Sequence, residues 1–311
     1  MRIVFMGTSE FSIPALNALL NTKHEIVSVY TKKPKRADRG QQLQYSPIYK
    51  IAQKNNLITH TPLTFKHGKN LEPLQELKPD LIVVVSYGLI LTKEVLSIPK
   101  YGAINIHPSL LPRWRGCAPL ERCLLSNDTK TGVCIMEVEE GLDSGCILKK
   151  YEMDITKDTD IEYLKEHLSE KGAELLVEAI DDIEKNGKII GIKQDDSLAT
   201  FADMITNDDA KIDWQNDSIV LIDKKIKTLW SSVGVFINHN GNKLKVLKAD
   251  FELQQNVNKD NIGKIIDKKH FFVQCKDGIL KPLIIQREGK KAMQVADFVN
   301  GYKININDII L

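Results

Sequence analysis

The sequence predicts an α/β protein in which a doubly wound, Rossmann-like parallel sheet precedes a small C-terminal β-barrel. Three observations support this prediction. Apolar strand patterns alternate with helical patterns over residues 1–189, which is typical of a parallel sheet. Short strand patterns separated by Gly and Asn turns fill residues 209–311. A length of 311 residues favours two cores, so we expect a linker at residues 190–208 between two domains.

The first strands and helices follow directly from the N-terminus. We predict strands at residues 2–6 and 25–31 and a helix at residues 14–20, which Thr8 or Ser9 would cap. The turn after the first strand lacks the G-x-G-x-x-G pattern, so we do not expect a dinucleotide site.

The later elements complete both predicted domains. A nearly unbroken apolar run predicts a buried strand at residues 80–86. Strands at residues 132–137 and 147–153 and an amphipathic helix at residues 160–185 follow. Beyond the polar linker, a helix at residues 218–229 precedes the short strands of the barrel.

Asn105 and His107 lie two residues apart at the end of an apolar run, and Pro108 follows them. On a strand this spacing puts both side chains on one face, and the proline then ends the strand. An amide and an imidazole on one face can donate hydrogen bonds to one substrate oxygen, which suits a developing oxyanion. A buried strand with a structural histidine is the alternative interpretation, because so short a motif is weak on its own.

Two basic segments are candidates for contact with a polyanion. The loop at residues 31–42 is long for a strand–helix connection, and it is either a solvated insertion or an arm that binds phosphates. Arg113 and Arg115 flank Trp114, which is either a packed tryptophan under surface arginines or a stacking and phosphate contact. Residues 207–311 carry 17 basic and 13 acidic residues, a mild indication of a polyanionic partner.

Composition narrows the class of protein. The chain has no apolar run of membrane-spanning length, and its first residues enter a strand pattern without a leader segment. The five cysteines are scattered without a Cys-x-x-Cys pair, so we expect a reducing compartment, small buried thiols and no metal site.

Two motifs together resemble a known signature. Asn105-x-His107-x-Ser109-Leu110-Leu111-Pro112, followed by Gly141-Leu142-Asp143-Ser144-Gly145, is similar to the signature of formyltransferases that use 10-formyltetrahydrofolate. Arg113-Trp114-Arg115-Gly116 and Ala118-Pro119 resemble the branch that formylates methionyl-tRNA. The resemblance implies a cytoplasmic, monomeric enzyme without a membrane anchor or a metal. It further implies that residues 209–311 form an OB-like, tRNA-binding barrel.

The resemblance also implies roles for individual residues. Asn105 would donate to the formyl oxygen, and protonated His107 would donate to that oxygen or to N10. Asp143 would pair with His107, raise its pKa and help to accept the proton of the amine. The folate would contact Tyr87, Gly88, Ile90, Ser109, Leu110, Leu111 and Pro112. The initiator tRNA would contact Lys35, Arg36, Arg39, Arg113 and Arg115.

Some positions depart from the family pattern and leave alternatives open. Cys146 replaces an acid, Glu121 replaces a glutamine, and residues 229–232 lack an Asn-Pro-x-Pro-like segment. One alternative keeps the chemistry and changes the acceptor to an amino sugar or a small amine. Another is a non-catalytic RNA-binding protein, which the presence of Asn105, His107 and Asp143 argues against.

Overall fold

The computed structural model describes residues 1–37 and 42–310, which divide into two compact units. The first unit comprises Met1–Leu120 and Thr129–Asp203, and the second comprises Glu121–Asp128 and Met204–Leu311. Most of the expected linker therefore belongs to the first unit. The reason is local pairing, because Ile192 bridges to Ile147 and residues 201–202 pair with residues 115–116.

The strands of the first unit lie mostly where the apolar runs predict them. They are β1 (Arg2–Gly7), β2 (Glu25–Tyr30), β3 (Lys35–Ala37), β4 (Gln42–Gln44), β5 (Thr59–His60), β6 (Leu81–Val85), β7 (Ala103–His107), β8 (Arg115–Gly116), β9 (Lys130–Glu137), β10 (Ile147–Asp154) and β11 (Phe201–Ala202). The helices up to residue 186 are α1 (Ile13–Leu20), α2 (Pro47–Lys54), α3 (Glu72–Glu76), α4 (Lys93–Leu96), α5 (Pro119–Leu125) and α6 (Ile161–Asn186).

Seven of these strands form the central sheet, in the order β10-β9-β7-β6-β1-β2-β5. The five strands from β7 to β5 are parallel, which confirms the predicted α/β class. β9 is antiparallel to both of its neighbours, so the sheet is mixed rather than wholly parallel.

Helix α6 holds β7 in the sheet from one side. Asp160 caps its N-terminus by accepting a hydrogen bond from the Tyr163 amide at 2.9 Å. Its apolar stripe, including Leu164, Leu168 and Leu176, is fully buried. Gly172 allows close approach to the strand, since a Cβ there would lie 2.7 Å from Ile106 Cγ2. The face of β7 that carries Ile106 therefore packs on α6.

The turn after β1 differs from the prediction. Thr8 and Ser9 do not cap α1, because residues 10–12 form a 3₁₀ turn before it. Their hydroxyls instead donate to the end of β6, at Tyr87 O (2.9 Å) and Ser86 Oγ (2.8 Å). The first turn of the chain thus ties down the residues that follow β6.

The described residues of the second unit form a six-stranded antiparallel half-barrel with helices α7 and α8 and most of α5, which confirms the predicted class of small barrel domain. Its elements are α7 (Ile219–Leu229), β12 (Val235–His239), β13 (Asn242–Leu253), β14 (Ile265–Asp267), β15 (Phe272–Cys275), β16 (Gly278–Arg287), β17 (Ala292–Gln294) and α8 (Val295–Gly301). Register shifts beside Lys248 interrupt the long β13–β16 ladder and allow it to bend over the core. Among the described residues, none of the helices combines the length and apolar character needed to cross a bilayer.

Candidate active site

The C-terminal end of β7 places Asn105 and His107 on one face of the sheet. Since Ile106 packs on α6, alternation along the strand turns its two neighbours to the opposite face. His107 is buried, with 3% of its surface exposed, and Asn105 is half-buried. β7 is hydrogen-bonded to β6 on one edge and to β9 on the other, so the backbone beneath both side chains is fixed.

The two ring nitrogens of His107 face different partners. Nε2 lies 2.8 Å from the backbone oxygen of Trp114. A carbonyl oxygen only accepts hydrogen bonds, so Nε2 carries a proton and donates it. Nδ1 lies 3.6 Å from Oδ2 of Asp143. When the ring is neutral, Nδ1 is therefore the basic nitrogen and it lies beside a carboxylate.

The net pKa of His107 moves in the direction opposite to the prediction, although the Asp143 carboxylate itself acts in the predicted direction. Burial lowers the pKa, and this effect outweighs the opposing influences of the Asp143 carboxylate and the Trp114 carbonyl. The sequence shows the partner but not the degree of burial, which explains the wrong direction. The resting imidazole is therefore neutral near pH 7, not protonated.

Asp143 lies on the loop between β9 and β10. Its Oδ2 accepts a hydrogen bond from the Gly116 amide at 2.8 Å, which directs the carboxylate towards His107. The backbone of Asp143 has a φ of +48°, a conformation that costs free energy in a residue with a Cβ. Gly145 lies against the backbone of Glu137, since a Cβ at position 145 would lie 2.1 Å from the Glu137 backbone oxygen. The motif thus forms a tight loop that depends on external contacts.

The segment at residues 194–202, which we call the strap, supplies those contacts. The Gln194 amide donates to the backbone oxygens of Asp143 (2.9 Å) and Gly145 (2.7 Å). Thr200 Oγ1 accepts from the Trp114 amide at 2.9 Å, and Trp114 in turn binds His107 through its carbonyl. Sequence reasoning missed both residues, because a polar, aperiodic stretch has the composition of a linker.

The residues predicted to bind the folate lie after β6 and β7, two neighbouring strands. Ser109 is buried and its hydroxyl donates to the Arg113 backbone oxygen at 2.7 Å. Leu111 is buried, Leu110 is half-buried, and the Leu111–Pro112 peptide bond is cis. Ligands of open α/β sheets bind beyond the carboxyl ends of such strands, so this position suits a cosubstrate.

The residues after β6 differ in what they expose. Tyr87 is almost fully buried, and burial raises the pKa of its hydroxyl. Gly88 has a φ of +74°, and a Cβ there would lie 2.4 Å from Lys32 Nζ. Ile90 is 69% exposed. Tyr87 therefore packs in the protein interior beneath this turn, while Gly88 and Ile90 are exposed and available to contact a ligand.

The arginines predicted to contact tRNA have unlike surroundings. Arg113 is exposed, and its guanidinium lies 4.4 Å from the centre of the Trp114 ring. Arg115 is 5% exposed and donates to Gln194 Oε1 and, at 2.7 Å, to Asp196. These partners occupy the buried guanidinium and do not favour a phosphate contact, so the predicted role of Arg115 in tRNA binding stays a prediction.

The predicted basic loop is only partly described. Residues 35–37 and 42–44 pair as β3 and β4, and Lys35 is exposed on this hairpin. Arg36 belongs to β3. Arg39 lies outside the described residues, so its predicted contact with tRNA stays a prediction.

Cys146, which departs from the family pattern, is not placed as a nucleophile. Its Sγ donates a hydrogen bond to Glu137 Oε2 at 3.2 Å. Burial and the Glu137 carboxylate raise the pKa of Cys146 to about 12. The thiol therefore stays protonated at neutral pH, which excludes thiolate chemistry there.

Comparisons with known proteins show similarity over nearly the whole chain. A family model described as "Formyl transferase" matches residues 1–180, and one described as "Formyl transferase, C-terminal domain" matches residues 204–303. A methionyl-tRNA formyltransferase of Ehrlichia canis is 44% identical over 306 residues, which is 98% of either chain.

Two solved structures share the fold. An N-formyltransferase from Helicobacter canadensis, in complex with folinic acid and dTDP-3-aminofucose, is 18% identical with a TM-score of 0.67, over 91% of this chain and 99% of that one. A methionyl-tRNA formyltransferase from Clostridium thermocellum is 17% identical with a TM-score of 0.55, over 81% of this chain and 94% of that one. At these identities the likeness concerns architecture alone.

Proposed function

This chain belongs to the formyl transferase family, and on that premise we propose that it transfers the formyl group of 10-formyltetrahydrofolate to the α-amino group of initiator methionyl-tRNA. The product supplies translation initiation. The proposal includes a monomeric enzyme that acts in the cytoplasm, as the family resemblance implies.

The attacking group needs little activation. A free α-amino group has a pKa of about 8, and esterification of the carboxyl group lowers it further, so a useful neutral fraction exists near pH 7. Attack forms the new C–N bond and moves negative charge onto the formyl oxygen. Asn105 donates its amide hydrogen to that oxygen from the rigid end of β7, and this fixed donor stabilises the developing charge.

His107 and Asp143 move the proton. The attacking amine becomes positively charged and loses its proton to Nδ1 of neutral His107, either directly or by way of the Asp143 carboxylate beside it. The imidazolium then protonates N10 as the C–N10 bond breaks, which releases tetrahydrofolate and formylmethionyl-tRNA. His107 thus acts as a base first and an acid second, and it ends the cycle neutral.

One observation carries the proposal: the basic Nδ1 of His107 faces Asp143 at 3.6 Å, while Nε2 is occupied by Trp114. Nδ1 of His107 is therefore the one ring atom that can gain or lose a proton. It lies beside the Asp143 carboxylate and on the same face of the sheet as the Asn105 amide. Acyl transfer to a neutral amine requires that set and no covalent nucleophile.

The proposed tRNA contacts are basic residues of two segments, and Lys35 and Arg113 are exposed there. Lys35 and Arg36 on the β3–β4 hairpin, Arg39 in the same segment, and Arg113 over Trp114 would bind the acceptor end. The second unit, which includes the basic residues 207–311, would bind the body of the tRNA.

The test is formyl transfer to methionyl initiator tRNA by the wild type, His107→Ala and Asp143→Asn. We expect each variant to lose kcat by roughly 100- to 1,000-fold, with smaller changes in both KM values. His67→Ala, at an exposed histidine of the first unit, is the matched control and should keep wild-type turnover. Wild-type kcat in both His107→Ala and Asp143→Asn would contradict the roles assigned to these residues.

A second arm of the same experiment tests the acceptor. The wild type is offered a nucleotide-linked amino sugar in place of methionyl-tRNA, and Arg39→Ala is assayed on the tRNA. We expect no sugar turnover and a raised KM for tRNA in Arg39→Ala, with a shallower dependence on salt. Turnover of the sugar alone would preserve the chemistry and reject the acceptor.

A further inference from the structure

Gln194 is a buried glutamine in an irregular part of the chain, and each end of its amide is occupied. Nε2 donates to the Asp143 and Gly145 backbone oxygens at 2.9 and 2.7 Å. Oε1 accepts from Nε and Nη2 of Arg115 at 3.1 and 2.9 Å. Only 6% of the residue is exposed. From these contacts we infer that Gln194 is a positioning residue that holds the Asp143 carboxylate against His107.

Arg115 fixes which way the amide of Gln194 points. A guanidinium only donates hydrogen bonds, so the oxygen of the amide must face it. The NH₂ group then faces the two loop carbonyls, which only accept. Arg115 is itself held by Asp196 at 2.7 Å, and its backbone amide donates to Thr200 O at 2.8 Å. The donors that the loop needs are therefore presented in one orientation.

The loop at residues 143–145 needs such an anchor. Asp143 has a positive φ, which is unfavourable for a residue with a Cβ and persists only where surrounding contacts impose it. The Gly116 amide holds the carboxylate at 2.8 Å, but it does not hold the loop backbone. Gln194 binds the backbone on both sides of Ser144. It thereby sets the position from which the side chain of Asp143 reaches His107.

The consequence for catalysis rests on the proposed roles of Asp143 and His107. Displacement of a reacting or orienting group by about 1 Å can cost on the order of 100-fold in rate. Asp143 also opposes the lowering of the His107 pKa by burial. If the loop moves away, that support weakens and the pKa of His107 falls further. A residue with a purely structural role would not change this pKa.

The first test is Gln194→Glu, which keeps the shape and the pairing with Arg115 and replaces the NH₂ donor with an acceptor. We expect kcat to fall by roughly 10- to 100-fold, with both KM values within about twofold of the wild type. Gln75→Glu, the same substitution at an exposed glutamine of α3, is the matched control and should turn over as the wild type does. Wild-type kcat in Gln194→Glu would overturn the inference.

The second test uses Gln194→Met, which removes both donors without adding charge, and follows the His107 ring by NMR over pH. We expect a folded protein whose His107 pKa lies below that of the wild type. An unchanged pKa in a folded Gln194→Met protein would also overturn the inference, even if kcat fell. If Asp143→Asn is fully active, the proposed function fails first. If Asp143→Asn is inactive and Gln194→Glu is not, only the role of Gln194 fails.

Discussion

The end of β7 and the strap at residues 194–202 hold the same site by different means. β7 is bonded to strands on both edges and packed on α6, and it carries Asn105 and His107 directly. The strap has only two residues of strand, and it exposes the large side chains of Leu198 (64%) and Phe201 (56%). The rigid sheet thus carries Asn105 and His107, while the irregular strap holds the loop of Asp143 and the backbone of Trp114 beside them.

The largest effect should come from disturbing the packing of β7 against α6. In Gly172→Ala the new Cβ would lie 2.7 Å from Ile106 Cγ2 and 3.2 Å from Val133 Cγ2. Overpacking of this kind typically costs about 1–3 kcal/mol, and the better helix propensity of alanine returns up to ~1 kcal/mol. We expect a lower free energy of unfolding in urea. Gly301→Ala has open space around its Cβ and no left-handed backbone, so it serves as the contrast and should keep wild-type stability. Undiminished stability in Gly172→Ala would show that β7 is not held by close packing.

The next effect should come from the strap. Thr200→Val removes the acceptor for the Trp114 amide and leaves the shape almost unchanged. Loss of one such hydrogen bond costs on the order of 1 kcal/mol, and we expect kcat to fall several-fold because Trp114 orients His107. Thr200→Ser keeps the hydroxyl and should restore turnover. Equal kcat in Thr200→Val and the wild type would show that the strap does not control the orientation of His107.

The smallest effect concerns pH and tests the burial of His107. Burial lowers the pKa of His107 below the unfolded value of about 6.5, so the unfolded chain binds more protons in that range. His107 therefore lowers the free energy of unfolding as pH falls through 6.5 towards the pKa of His107 in the folded protein. We expect His107→Gln to lose less stability than the wild type between pH 7 and pH 5, as measured by urea unfolding. A steeper loss in the variant would mean that His107 is charged in the folded protein.

Arg113 and Arg115 show where sequence reasoning stops. They flank the same tryptophan and have the same chemistry, so the pattern predicts one role for both. The structure exposes Arg113 and buries Arg115 against Gln194, a residue 79 positions later in the chain. Nothing local to residues 113–115 reveals that partner. The wrong pKa direction for His107 has the same origin, since burial depends on the whole fold.

Much of the protein was nevertheless determined by its sequence alone. Local periodicity predicted the α/β class, the main strands and the long helix, because burial of an apolar stripe needs only a regular repeat. The Asn105–His107 spacing fixed one shared face, because alternation along a strand is intrinsic to its backbone. The tertiary structure decided the antiparallel β9, the neutral state of His107, and the contacts of Gln194 and Thr200. Those features depend on which distant segments meet, and no repeat in the sequence records that.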